Sequence, residues 1–387
     1  MSHSHRSDSH LPFLPSLSAA DRATLDRALT TRAKRRQRDA EARAAHAEQL
    51  VEDVERRLRN LVGARAHTQF QADLQRERLA LRDALQPPAG LTRDRAKLRA
   101  KGRRAVDGLI RRLGTSRAKV RAVLDRAAAK LEAATETKAQ AAGYHLGRHR
   151  RRWDALSPLH RFPLPWGERI PDLGLDPNDP HRWFLYQPPF FGFLFHEDIV
   201  TTGDFRAHRT MKLHPPSGLV GNQCTMDLDD AGNWNLASVV GESQIAVAFT
   251  PPVTGVIEVL VDAQCTIDGH AIHIEDEFGF SDAWCDHTSA LMVDVLHPNV
   301  PTPTVAAMAH TRLESDGDDT SQVVNILTGG QHYFAQLFAT GPVQAGQTVI
   351  VTAGAQSTDV TYSNDMELHS YSDCQWFISS LEIRIAP

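Results

Sequence analysis

Two hydrophobic periods run along this chain, and they occupy separate stretches. Between residues 20 and 150, apolar residues recur at steps of four and three. Val106, Ile110, Leu113, Val120, Leu124, Ala127, Leu131, Ala134 and Ala141 follow that alternation, with Arg117 and Lys138 taking two positions of the same stripe. A stripe sustained over about five heptads predicts a coiled-coil seam rather than an isolated surface helix. Upstream, Ala47, Val51, Val54, Leu58 and Leu61 keep the pattern, which slips around Gly63–Thr68 and resumes at Phe70, Leu74, Leu81 and Leu85. Such a slip locally rewinds a supercoil. The run Gln86-Pro87-Pro88-Ala89-Gly90 interrupts the helix, because proline lacks a backbone donor and disfavours helix at the residue before it. Thr92 is an acceptable N-cap for a restart. Segments of similar length on either side predict an antiparallel helical hairpin. A single kinked helix in a parallel oligomer is the alternative. Either way Val106, Ile110, Leu113, Val120, Leu124 and Leu131 are the expected oligomerisation seam, and a homo-oligomer is expected.

From about His181 onward the period becomes two. Ile257, Val259, Val261, Ala263, Cys265 and Ile267 alternate with Glu258, Leu260, Asp262, Gln264, Thr266 and Asp268. Near the end, Phe377, Leu381, Ile383 and Ile385 are set against Glu382 and Arg384. Both patterns predict strands with one buried face. Ser321–Thr328 and Gln331–Thr340 flank Gly329-Gly330, a tight-hairpin signal. Asp268-Gly269 and Pro251-Pro252 read as turns. Roughly eight to ten strands with no crossover helix predict an antiparallel, jelly-roll-like β-sandwich. The fold class is therefore α+β and multidomain. It comprises a flexible His-containing tail (1–19), a basic helical arm (20–150, broken at 86–90), a Pro/Trp-rich collar (151–190) and an acidic all-β head (191–387).

Charge sharpens that division. The 387 residues sum to a formal charge of −4. Residues 1–155 hold 35 Lys+Arg against 18 Asp+Glu, a net +17, and the remainder carries −21. A uniform globule is excluded. The basic excess reads either as a solvated helical face or as a site for an anionic surface, including this protein's own head. Specific nucleic-acid binding is disfavoured, because only Phe70 and Tyr144 supply aromatic rings between residue 20 and Trp153, too few for base stacking. No stretch approaches the ~20 apolar residues of a transmembrane helix. The polar start at Met1–His10 lacks the apolar core of a secretory signal. Cytoplasmic synthesis is the expectation, with non-classical release left open. Cys224, Cys265, Cys285 and Cys374 form no CxxC pair and are expected as small buried hydrophobes.

Candidate chemistry is sparse. His273, Glu275 and Glu277 share one strand face and offer donors for a divalent metal, although no second histidine stands at a matching position. Their simpler reading is a solvated face. Asp227, Asp229, Asp230, Asp316, Asp318 and Asp319 offer carboxylates for calcium between β-loops, but an EF-hand is excluded because Ser238 stands where its terminal Glu belongs. Trp284-Cys285-Asp286-His287 is a poor nucleophile site, since neighbouring acids oppose a thiolate. Trp234 and Trp284, with Trp376, are candidate stacking platforms for a sugar. His3, His5 and His10 can chelate metal. No phosphate loop, GxSxG or HExxH is present. The leading expectation is a non-enzymatic recognition protein that requires no cofactor. Its oligomerising or docking arm would present a head that binds a glycan or a protein. A metal-dependent enzyme and a membrane-active, toxin-like protein are the alternatives.

Overall fold

The computed structural model describes residues 3–6, 18–70, 72–73, 76, 95–120, 122–123, 126, 183–190, 192–201, 205–228, 234–275, 282–300, 304–316, 320–326, 332–338, 341–364 and 366–386. Two long helices, α1 (Ala19–Val62) and α2 (Arg95–Arg112), accompany the strands. These are β1 (His3–Arg6), β2 (Trp183–Tyr186), β3 (Gly192–Thr201), β4 (Arg206–His214), β5 (Leu219–Leu228), β6 (Trp234–Phe249) and β7 (Val256–Glu275). They continue with β8 (Asp282–Leu296), β9 (Thr304–Asp316), β10 (Thr320–Asn325), β11 (His332–Phe338), β12 (Val349–Asn364) and β13 (Glu367–Ala386).

The strands form two antiparallel sheets. The first has the order β1-β3-β6-β12-β8-β9; the second has β10-β7-β13-β5-β4, with β11 also on β7 and β2 on β13. The sandwich expected from the alternation is present, and the register corrects several details. β7 runs unbroken through Asp268-Gly269, so that dipeptide is no turn. β10 and β11 do not pair with each other. Both pair with β7, β10 opposite Gly269–Ile274 and β11 opposite Glu258–Gln264, as two pieces of one edge. His3–Arg6, read from sequence as tail, is a strand on the edge of the first sheet. In β13 the register shifts at Gln375/Trp376 and again at Ile378/Ser380. The first leaves Thr266 of β7 as the extra residue and the second Ser379 of β13, and only the second exchanges the faces of β13, between Ile378 and Leu381. Trp376 is therefore fully buried and Phe377 faces out, the reverse of the simple alternation.

Helix α1 begins at Ser18, whose Oγ accepts from the Asp21 N–H at 3.1 Å. It ends at Gly63, where φ is +87°, a conformation glycine adopts without strain. It lies on the outer face of the first sheet. Leu25 and Ala28 pack with Ala246, Leu296 and Ile350, and Val54, with Leu58 and Leu61, packs with Trp284 and Tyr362. From Leu25 to Val54 the helix rises about 43 Å. From Ile350 to Tyr362 strand β12 advances about 40 Å. Helix and strand therefore run side by side in the same direction. Arg32 donates to Asp294 at 2.9 and 2.5 Å and to the Val300 carbonyl at 2.6 Å. Arg36 pairs with Glu242.

Over its first half, then, the heptad-bearing segment covers its own head. Val120 joins the Val54–Trp284–Tyr362 cluster, and Ile110 is buried as well, so both seam residues are occupied within one chain. The stripe is also broken at Gly114 (φ +68°), after which the helical turn restarts with Lys119 N–H on the Ser116 carbonyl. Leu113 precedes that break and is half-buried. Val106 lies in α2, with its side chain outside the described residues, as are Leu124, Leu131 and the 86–90 break. Among the described residues no helix is long and apolar enough to cross a membrane.

Between the sheets lie two apolar clusters, one around Val259, Val293, Val351 and Trp376, the other around Met226, Val239, Ile274 and Leu368. All four cysteines are free and buried.

Candidate functional site

A polar belt separates the two clusters. Inner positions of β7 pass from Cys265 through Asp268 and His270 to Ile272, and those of β8 from Cys285 through His287 and Ser289 to Leu291. Ser357 and Asp359 of β12, Ser370 and Ser372 of β13 and Asn222 of β5 stand at the same level. His287 is the hub. Its Nδ1 is 2.7 Å from Asp359 Oδ1, its Nε2 is 3.3 Å from Asp268 Oδ1, and Ser289 Oγ donates to Asp268 Oδ2 at 2.5 Å. Burial alone would push the His287 imidazole down, but Asp359 and Asp268 outweigh it and raise it to about 10. Burial, with the neighbouring His287 charge, pushes His270 down to about 3. At the other end Arg209 donates to the His196 carbonyl at 2.9 Å and pairs with Asn222. Gly241 makes room for it, since a Cβ there would collide with the guanidinium.

The belt contains Ser, His and Asp but cannot act as a nucleophilic triad. Ser289 gives its proton to a carboxylate rather than to the imidazole, whereas an activated serine needs the base on its own oxygen. His287, Asp268, Asp359 and Ser289 are all at most 2% exposed, so no substrate reaches them. The belt is structural: a buried cation neutralised by carboxylates and hydrogen bonds.

Accessible chemistry lies on the outer face of the second sheet, which carries no helix among the described residues. Strand alternation turns His369, Tyr371, Asp373, Gln375 and Phe377 of β13 outward. The register sets His208 and Thr225 beside Tyr371, and Lys212 two rungs further along, beside Gly221 and Gln375. Asp373 organises the centre. It accepts from Lys212 Nζ at 2.6 Å, Gln375 Nε2 at 2.9 Å and Tyr371 OH at 3.1 Å. Partial burial, then the charge of Asp373 and the bond to it, raises the Tyr371 phenol above its ordinary value. Tyr371 and Phe377 remain 38% and 36% exposed, with Ile267 at 43% between them on the next strand. Their Cα atoms are about 20 Å apart along the strand. The face thus offers two aromatic platforms flanking a fixed polar group, a pattern suited to a ligand with apolar C–H faces and hydroxyl edges.

The other sequence candidates fall elsewhere. Trp284 is buried beneath α1, with Tyr362 stacked at 5.7 Å and the Arg312 guanidinium 4.5 Å from its ring centroid, so it is no open platform. Trp376 is core, edge-on to Tyr333 at 5.1 Å. Trp234 opens β6, opposite Asn364. Asp227 faces out on β5 beside His369, and Asp316 closes β9. Asp229, Asp230, Asp318 and Asp319 lie outside the described residues, as does Glu277. His273 and Glu275 share the outer face of β7. The outward residues of β13 carry a signal that sequence reading passed over: His369, Tyr371, Asp373 and Gln375 alternate strictly with smaller residues from Ser370 to Cys374.

No family model and no curated protein matches the chain. Among solved structures, TmCBM61 in complex with β-1,4-galactotriose is 10% identical over 42% of this chain and 86% of its own, with a TM-score of 0.14. A structure of CBM4 is 12% identical over 50% of this chain and 88% of its own, TM-score 0.13. The Eiger TNF of S. frugiperda is 14% identical over 38% and 65%, TM-score 0.13. TM-scores at that level establish no shared fold.

Proposed function

We propose that this chain is a recognition protein that binds a glycan on the outer face of its second sheet. The observation that carries this reading is the Tyr371–Asp373–Gln375–Lys212 group with Phe377 beyond it: exposed aromatic rings held beside side chains already fixed by mutual hydrogen bonds. Sugars stack their C–H faces on such rings and hydrogen-bond to carboxylate, amide and ammonium groups. Because the polar group is ordered before binding, little rotamer entropy is lost on association. Helix α1 braces the opposite sheet and leaves this face clear.

Affinity electrophoresis of the full chain through gels containing soluble polysaccharides tests the reading, with β-1,4-galactan and mixed-linkage β-1,3-1,4-glucan as first probes beside xylan, mannan and an anionic uronan. Retardation by one of them is expected, and Tyr371→Ala should weaken that binding about thirtyfold, the effect of removing one central aromatic anchor. Free migration through every gel, or retardation unchanged in both Tyr371→Ala and Phe377→Ala, overturns it.

A further inference from the structure

We propose that the same face carries, one rung from Tyr371, a site for a divalent transition ion built from His273, Glu275 and His369. The sequence offered only one histidine for such a site. The fold supplies the second, because β7 and β13 pair with His273 directly opposite His369. Both point outward, with rings nearly parallel (13°) and centroids 6.4 Å apart.

The donor arrangement is specific. His273 Nε2 stands 3.4 Å from Glu275 Oε1, a long hydrogen bond. Two donors at ~2.1 Å from one tetrahedral ion are separated by about 3.4 Å, so this pair already has the spacing of two ligands on a common metal. His369 binds Asp227 Oδ1 through Nδ1 at 2.9 Å, which leaves Nε2 as its ligating nitrogen. A carboxylate on the far ring nitrogen is the arrangement that orients metal-bound histidines and raises their basicity. Two imidazoles and a carboxylate select an ion of the zinc class over magnesium or calcium.

As placed, the three donors do not yet converge. No group of three or more His, Cys, Asp or Glu side chains among the described residues is gathered as a finished cation site. A tetrahedral ion lies in the plane of each ring that binds it, with the centroids about 5 Å apart, so one of these nearly parallel rings must turn as well as approach by roughly an ångström. The His273 and Glu275 side chains are 50% and 29% exposed, so rotation of both about their own torsions turns them toward His369 without moving the sheet. A buried pair could not make that adjustment. The site is independent of whether a sugar binds beside it.

Calorimetric titration with Zn2+ alone tests this, using the full chain with His3, His5 and His10 replaced by alanine so that the N-terminal histidines do not contribute. One equivalent of Zn2+ per chain is expected. His369→Ala and His273→Ala should each abolish the isotherm, and Asp227→Asn should weaken it at least about tenfold, the effect of losing the orienting carboxylate. Tyr371→Phe should leave it unchanged. Thermal unfolding of each variant without metal checks folding, and His369→Gln replaces His369→Ala if the alanine variant is unfolded. No stoichiometric Zn2+ uptake, or uptake that survives loss of either histidine in a folded protein, overturns the proposal.

Discussion

His287 sits between two carboxylates at the centre of the sandwich, and its neighbour His270 is held neutral beside it. The two histidines impose opposite pH dependences on stability. His287 is raised from 6.5 to about 10, so the folded state binds the extra proton and its stabilisation is complete below 6.5. That stabilisation falls as pH climbs through about 10. His270 is lowered from 6.5 to about 3, so its folded environment favours the neutral ring above 6.5 and loses that advantage as pH drops toward 3. Stability should therefore peak near neutral pH, with the urea midpoint declining on both sides. In His287→Gln the decline between pH 7 and 10 should flatten, because no proton is left to lose. An alkaline limb as steep as in the parent would rule out His287 as its source. None of this was legible from the sequence. Asp268-Gly269 looks like a turn, and nothing in the spacing along the chain places His270 beside His287 until two strands from different sheets bring them together.

At the scale of elements, the heptads and the alternation were legible, while their partners were not. The stripe at Val54, Leu58 and Leu61 reads as a seam for another helix, yet these residues meet Trp284 and Tyr362 of a sheet, with Val120 beside them. A stripe of apolar residues specifies a burial requirement and not the identity of the surface that meets it. Arg32 and Arg36 fix that choice by meeting Asp294 and Glu242. The Arg32 and Asp294 side chains are 7% and 4% exposed. Arg32→Ala therefore leaves a buried carboxylate uncompensated and should cost about 3–5 kcal/mol of stability. Hydrogen exchange should quicken along α1 and on the strands beneath it, and Arg32→Ala with Asp294→Ala together should recover part of the loss. Unaltered exchange in Arg32→Ala would show that α1 is held by other contacts. The candidate site shows the complementary failure. The end of β13 is legible as a strand, but the extra residue at Ser379 that sets Phe377 on the face opposite Leu381 and Ile383 leaves no mark in a pattern of alternating residues.

For the molecule as a whole, the near-neutral total of −4 conceals a basic helical part and an acidic β part, and the structure joins them where their charges meet. Because those ion pairs are largely withdrawn from water, salt should screen them weakly. Exchange protection of α1 should be nearly the same at 0.1 and 1 M NaCl, although the Debye length falls from about 10 Å to about 3 Å. Undocking at high salt would instead assign the contact to long-range surface attraction. The sequence by itself determined the two periodicities, the opposite charges that accompany them and the two-layered β architecture, because each follows from local spacing of apolar and charged groups. Only the tertiary structure decided that α1 packs on the first sheet, that a charged belt crosses the core, and that Tyr371, Phe377 and His369 share a face with His273. These outcomes depend on strand register and on which distant surfaces meet, and neither is encoded in the spacing of residues along a single segment.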